Sequence, residues 1–234
     1  MTVQDAISRY PWLHEILHEL PDDALSQIIV RNYRPNETLI ADCYNNPYTF
    51  IILKGVCCTY QISEAGNQFV LRKATCGDVV GLSIYPGSCE FDSVIRTKTD
   101  LCAVLLPKAL VQLWFGKYPA FSSIVSQRVI ARLHDLVNLL SVCNNSPSYL
   151  AIMAYMEYNY RFYARSSPES YTGPIEILES RQNIADFLGV DTRSVYRLLK
   201  KLTEEGLISV SNRRLYIDKQ QCEHLHQVRY CESL

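Results

Sequence analysis

The chain has 234 residues, 48% of them hydrophobic and 20% charged, with a formal net charge of −1 at pH 7. Such a length gives one large or two small domains with ample core, and such a composition excludes a disordered chain. The near-neutral balance marks no partner by itself, and no stretch reaches the ~20 apolar residues of a membrane span.

Residues 1–30 read as short helices: "WLHEILHEL" carries Leu13, Ile16, Leu17 and Leu20 at spacings of three and four, and Pro21-Asp22-Asp23 starts another. These opening residues read as neither a signal peptide nor a transit sequence, so the protein is expected in the cytoplasm with no membrane partner. After Tyr33 the pattern changes to short extended runs, with strands predicted over Thr38–Ile40, Phe50–Lys54, Val56–Ile62 and Gln68–Ala74. Turn signals at Asn45-Asn46-Pro47, Gly55, Glu64–Asn67 and Cys76-Gly77-Asp78 separate them, and Asp92–Lys98 and Leu101–Pro107 complete the set. Many short strands with Gly and Asn turns predict an antiparallel barrel or sandwich.

From Pro119 to Ser141 the pattern is helical, with Ile130, Leu133, Val137 and Leu140 at spacings of three, four and three. That is the seam of a two-stranded coiled coil, although it blurs toward Arg128 and Ala131. A plain core helix is the other reading. Leu136 and Leu139 favour the dimer, because they add more apolar surface than one face of a lone helix needs. "CNNSPS", Cys143–Ser148, is expected to break the helix and divide the chain. Beyond it, "YLAIMAYMEYNYRFYAR" forms a second helix with Ile152, Tyr155, Met156, Asn159 and Tyr163 roughly in line, followed by the polar loop "SSPESYTGP".

Ser180 opens a short helix over Arg181–Leu188, its oxygen placed to accept from first-turn N–H groups. After a "GVD" turn comes a helix with two opposed faces. Val195, Leu198, Leu199 and Leu202 repeat at helical spacing, and Arg193, Tyr196, Arg197 and Lys200 repeat on nearly the opposite side. Two short apolar runs follow, Leu207–Val210 and Arg214–Ile217, joined by "SNR". This order is that of a winged helix-turn-helix, whose leucine face packs inward while the opposite face enters a DNA major groove. Arg193 and Arg197 can each offer two donors to a guanine edge, while Tyr196 and Lys200 can reach a base edge or phosphate. Ser180, Arg181 and Gln182 at the first helix start, with Arg213 and Arg214 in the wing, are placed for phosphate. Residues 180–219 hold eight Lys and Arg against five Asp and Glu. This modest local excess suits specific recognition by a dimer rather than sequence-blind binding.

The nine cysteines form no CxxC pair and are odd in number, which argues for reduced packing residues rather than a disulfide framework, with a redox or metal sensor as the other reading. His14, His18 and His134 make no metal-spaced set, no glycine loop is built to cradle a phosphate, and no Ser or Cys has the context of an activated nucleophile. No enzyme and no metal site are therefore expected.

From about Tyr33 to Leu225 the chain resembles the bacterial Crp/Fnr transcription regulators. Three segments carry the resemblance: "YRPNETLIADCYNNPYTFIILKGVCCTYQISEAGNQFVLRKATCGDVVGL", the long helix, and "SRQNIADFLGVDTRSVYRLLKKLTEEGLIS". It implies an α+β protein with an N-terminal cyclic-nucleotide-binding-like β-roll (a double-stranded β-helix), a long dimerisation helix and a C-terminal winged helix-turn-helix. The corresponding division is a sensor over 1–118, a dimer helix over 119–142 and a DNA-binding part over 147–234. The implied partners are a second copy of the chain, double-stranded DNA carrying a palindromic operator, RNA polymerase, and a small-molecule effector whose identity is unknown.

Departures from the family pattern narrow that expectation. Cyclic-AMP-binding members carry a Gly-Glu pair and an Arg-Ser pair that hold ribose and phosphate; here Gly81 is followed by Leu82, and Phe91-Asp92 stand where Arg-Ser would be. A buried anionic phosphate needs charge-assisted donors, and Asp92 repels it, so no cyclic nucleotide is expected despite the nearby charge of Arg96. No cysteine precedes Cys43, so the N-terminal iron-sulfur cluster of the oxygen-sensing members is not expected either. An effector pocket is expected around Gly81, Leu82, Ser83 and Arg96, at the junction of roll and dimer helix. Arg197 matches the family's base-reading arginine, whereas Arg193 replaces a glutamate that accepts from cytosine, which predicts a different half-site. The rival reading is a ligand-binding roll whose helix-turn-helix serves protein contacts.

Overall fold

A computed structural model describes residues 1–42, 45–62, 68–82, 93–167 and 171–232. They fall into two compact units, Met1–Arg132 and Leu133–Leu234.

The first unit opens with α1 (Val3–Arg9), α2 (Pro11–Leu17) and α3 (Asp22–Leu25). Thr2 starts α1 with a reciprocal cap: its Oγ1 accepts from the Asp5 N–H at 3.1 Å and its own N–H donates to Asp5 at 2.8 Å. Eight strands follow: β1 (Ile29–Tyr33), β2 (Thr38–Ile40), β3 (Tyr48–Lys54), β4 (Cys57–Ile62), β5 (Gln68–Ala74), β6 (Val79–Val80), β7 (Ser93–Thr97) and β8 (Leu101–Pro107). They pair antiparallel as two four-stranded sheets, β1-β8-β3-β6 and β2-β7-β4-β5.

The runs "FIIL" and "LCAVLL" are apolar without alternation because β3 and β8 are buried on both faces. Phe50, Ile52, Leu101, Ala103 and Leu105 join the core between the sheets, with Ile40, Val80 and Ile95. Ile51, Leu53, Cys102, Val104 and Leu106 join a second core with Leu13, Ile16 and Leu17 of α2 and Val111 and Trp114 of α4 (Lys108–Lys117). Two layers of core on one sheet explain why helices bracket the strands in sequence.

Helix α5 (Pro119–Asn145) crosses the division between the units. It continues through Cys143 to Asn145 rather than ending near Ser141, because nothing in "CNN" stops it. The stop is Pro147, which disfavours helical geometry at Ser146.

In the second unit α6 (Ser148–Ala164) is buried along most of its length, from Leu150 to Tyr163. The expected line of Ile152, Tyr155, Met156, Asn159 and Tyr163 lies inside, and the Tyr163 hydroxyl donates to Glu179 at 2.5 Å. Around α6 stand β9 (Ile175–Ile177), α7 (Arg181–Leu188), α8 (Thr192–Glu204), β10 (Ser209–Ser211), β11 (Arg214–Ile217) and α9 (Lys219–Glu232). The three strands form one sheet in the order β10-β11-β9. Glu157 of α6 is 3% exposed and faces Arg161 at 2.5 Å, Arg229 at 2.9 Å and His226 at 3.0 Å. Two of those partners come from α9, so a single carboxylate pins the last helix to the central one.

Five elements depart from the expected reading. Strand β1 begins at Ile29, inside the stretch read as helical, and pairs with β8 from Ile29↔Leu105 to Tyr33↔Leu101. Strands β6 and β9 have two and three residues, too few for an alternating pattern to register. Helices α4 and α9 had no sequence reading at all.

Candidate nucleic-acid interface

The helix-turn-helix is built by capping and burial acting together. Ser180 caps α7 by accepting from the Asn183 N–H at 3.0 Å. Gly189 ends that helix in the left-handed region, at φ +64°, where a residue without Cβ is favoured. Asp191 then caps α8, accepting from the Ser194 N–H at 2.9 Å and the Ser194 hydroxyl at 2.7 Å. Those two bonds, the hydroxyl's first, hold the Asp191 carboxyl below its ordinary pKa.

Val195, Leu199 and Leu202 are fully or nearly fully buried, with Ile184 and Ala185 of α7, and Leu198 is half-buried. The opposite side of α8 stands in solvent. Arg193, Arg197 and Lys200 are exposed, and Tyr196 is 61% exposed, unusual for so large a ring. Lys200 meets Glu204 at 3.6 Å, a solvent-exposed pair that leaves its charge available to a ligand.

A polar brace fixes α8 to α7 across the turn. The Thr192 hydroxyl donates to Gln182 Oε1 at 3.1 Å, and Gln182 Nε2 donates to Asp186 at 2.7 Å. At the far end of α8, Lys201 Nζ lies 3.7 Å from the centre of the Tyr149 ring and 3.7 Å from Glu205, whose carboxylate also accepts from the Tyr149 hydroxyl.

The wing is the hairpin of β10 and β11, with Ser211↔Arg214 as its last pair. A model of the Crp-like helix-turn-helix domain matches residues 127–226. Residues 127–226 thus carry a Crp-like helix-turn-helix domain, and the chain as a whole shares its fold with solved regulators. FixK2 from Bradyrhizobium japonicum is similar at 17% identity and TM-score 0.66, over 86% of this chain and 96% of that one. A CooA mutant from Carboxydothermus hydrogenoformans is similar at 18% identity and TM-score 0.63, over 92% and 94%. CLP from Xanthomonas campestris, described as a c-di-GMP responsive global regulator, is similar at 16% identity and TM-score 0.59, over 82% and 95%. No curated protein matches the sequence.

On this scaffold the sequence-derived residues fall into groups. Arg193, Tyr196, Arg197 and Lys200 share the exposed face of α8. Ser180 and Gln182 each have an internal bond, yet the Ser180 hydroxyl retains its proton and the Gln182 amide its second hydrogen for an anion. Arg181 is half-buried and Arg213 exposed. Arg214 lies 3.2 Å from Glu176 of β9, which offsets its charge. The brace residues Thr192 and Asp186 had no place in the sequence reading, although Gln182 and Asp186 stand at the i, i+4 spacing of a helical Gln–Asp pair.

The residues expected at a dimer seam, Ile130, Leu133, Val137 and Leu140, are 59%, 60%, 51% and 38% exposed, while neighbouring Leu139 is buried. The expected effector residues do not converge. Gly81, at φ +72°, is packed so closely that a Cβ there would meet Ile40 Cδ1 at 2.7 Å and Asn46 Nδ2 at 3.0 Å. Leu82 packs against the helix-facing core, Arg96 sits on β7 in the other sheet, paired with Thr38 and Cys58, and Ser83 lies outside the described residues. A concavity of about 350 Å³ opens elsewhere on the roll, lined by residues including Asn32, Arg34, Lys54, Asp100 and Cys102. Among the described residues no cluster of His, Cys, Asp and Glu could hold a metal, and no helix is long and apolar enough to cross a membrane.

Proposed function

We propose that the protein is a homodimeric, sequence-specific transcription regulator that binds a palindromic DNA site and answers through its roll to an effector other than cyclic AMP. The exposed basic and aromatic face of α8, held opposite a buried leucine face, carries the reading. Arg193 and Arg197 read base edges with Tyr196 and Lys200 beside them. Ser180, Arg181, Gln182, Arg213 and Arg214 line the approach to phosphate, with Arg214 weakened by Glu176. The parts are a sensor over 1–118, a dimer helix over 119–142 and a DNA-binding part over 147–234.

Support for the dimer comes from residue type as well as exposure. The seam alternates β-branched Ile130 and Val137 with Leu133 and Leu140, the choice that favours two parallel strands. Gly81 and Leu82 bring no side-chain donor to a cyclic phosphate, and Leu82 packs on the core, which supports an effector of another chemistry.

Selection of random duplex DNA against the purified protein at fixed salt tests the proposal. The expected product is a palindrome with half-sites about one helical turn apart, weakened by roughly 1–3 kcal/mol by either Arg193→Ala or Arg197→Ala. No enrichment, with or without cell-extract small molecules, would favour a helix-turn-helix that contacts protein.

A further inference from the structure

We infer that Arg213 is a specificity residue: it enters the DNA minor groove beside each half-site and selects A·T-rich flanks. The inference rests on the DNA-binding reading above and goes beyond assigning this side chain to phosphate.

Three observations single out Arg213. First, it forms the tip of the wing with Asn212 alone, since Ser211 and Arg214 already pair across the hairpin. Both tip residues are left-handed, Asn212 at φ +49° and Arg213 at φ +63°. A two-residue turn of this kind matches the strand twist, and its second position favours glycine. An arginine there holds the backbone in a region that its Cβ disfavours, and it is the one residue besides Asn and Gly at positive φ among the described residues.

Second, the two wing arginines are not equivalent. Arg214 has its guanidinium 3.2 Å from Glu176, whereas the Arg213 side chain has neither a hydrogen bond nor an ion pair among the described residues and is exposed. Its full charge therefore stands at the outermost point of the hairpin. Third, the strand behind it is slender. Ser209, Val210 and Ser211 are all exposed, with short side chains, on an edge strand.

The minor groove is about 6 Å wide, too narrow for the two-stranded ribbon but open to one arginine reaching from its tip. Where a recognition helix occupies the major groove, the adjacent minor groove faces the same side roughly five base pairs away, half of a 10–10.5 bp turn. A-tracts narrow that groove and deepen its negative potential, which attracts an inserted guanidinium. A guanidinium is also less strongly hydrated than an ammonium and sheds water more readily on entering.

The test uses the full-length protein and the selected operator in two versions, with A-tract or G·C-rich steps about five base pairs outward from each half-site centre. Affinities at several salt concentrations are compared for the wild type, Arg213→Gly, Arg213→Lys and Arg197→Ala. The wild type is expected to prefer the A-tract duplex about tenfold, one mismatched contact's worth. Arg213→Gly should bind both duplexes alike, with a melting temperature no lower than wild type because glycine suits the turn. Arg213→Lys should keep the wild-type salt dependence and lose most of the preference.

Equal wild-type affinity for the two duplexes, or a preference that survives Arg213→Gly, overturns the inference. In that case a loss of binding to both duplexes in Arg197→Ala would leave the major-groove reading standing. Failure of the wild type to discriminate the operator from random DNA would remove both.

Discussion

Arg132 Nε lies 3.2 Å from the Asp78 carboxylate, and Asp78 is 1% exposed. The same carboxylate accepts from the Thr75 N–H at 2.9 Å, and one turn earlier Arg128 donates to the Gly77 carbonyl at 3.3 Å and covers the Trp12 ring at 4.7 Å. The turn between β5 and β6 is thus fastened to the first half of α5. Removing one partner of a buried pair strands the other, so Asp78→Asn should destabilise the protein by about 3 kcal/mol in urea titration. Combining it with Arg132→Met should cost less than the sum of the two single changes.

The seam makes the opposite prediction for folding. Leu133 is exposed in a single chain, so Leu133→Asp should leave the protomer's unfolding midpoint within about 0.5 kcal/mol. Sedimentation should show a dimer for the wild type and a monomer for the variant, and operator affinity should fall with it.

The two faces of α8 should separate stability from recognition. Leu202 is fully buried, and Leu202→Ala should cost about 2–5 kcal/mol of stability. Tyr196→Ala, on the exposed face, should change stability by no more than about 0.5 kcal/mol yet weaken operator binding.

Asp191 sets the acid behaviour of the α8 start. Its pKa is depressed in the folded protein by the bonds from Ser194, so the cap contributes in full above the unfolded value of about 3.9. That contribution is lost as pH falls through the lowered folded value. The Asp191 carboxyl resonance should therefore titrate below the free-peptide position, and operator binding should show no Asp191-linked change from pH 8 to 5. Asp191→Asn keeps an acceptor for the N–H and should abolish the acid step.

Thiol chemistry follows burial. Cys57 and Cys58 are buried and Cys231 exposed; burial raises the Cys57 thiol and pushes Cys143 up to about 11. Thiolate is the reactive form, so among the described cysteines Cys231 should react first with iodoacetamide at pH 7.5. If alkylation of Cys231 alone, oxidation and chelation all leave operator affinity unchanged, no thiol acts as the sensor.

Legibility in the sequence tracked the length of each periodic signal. Helix α8 carries two complementary periodic sets over 13 residues, and both faces were read correctly from spacing, including which side is buried. Strands β3 and β8 were found because long apolar runs survive burial on both faces, whereas β6 and β9 are too short to carry a period. Strand β1 was hidden because "IIVRNY" directly follows helical turns, and its pairing with β8 is set about seventy residues away. The surroundings of Gly81 were hidden for a different reason. That glycine serves a close approach of Ile40 and Asn46, a tertiary fact that no local pattern records.

The brace from Thr192 through Gln182 to Asp186 has a further consequence. Together with the buried leucine face it fixes the pose of α8 without using the side chains of Arg193, Tyr196, Arg197 or Lys200. Arg193, Tyr196, Arg197 and Lys200 are therefore free to be exchanged without disturbing the packing beneath them. A duplicated copy of this gene could acquire a new operator by a handful of surface substitutions, each nearly neutral for folding, so a regulatory network can be rewired one side chain at a time.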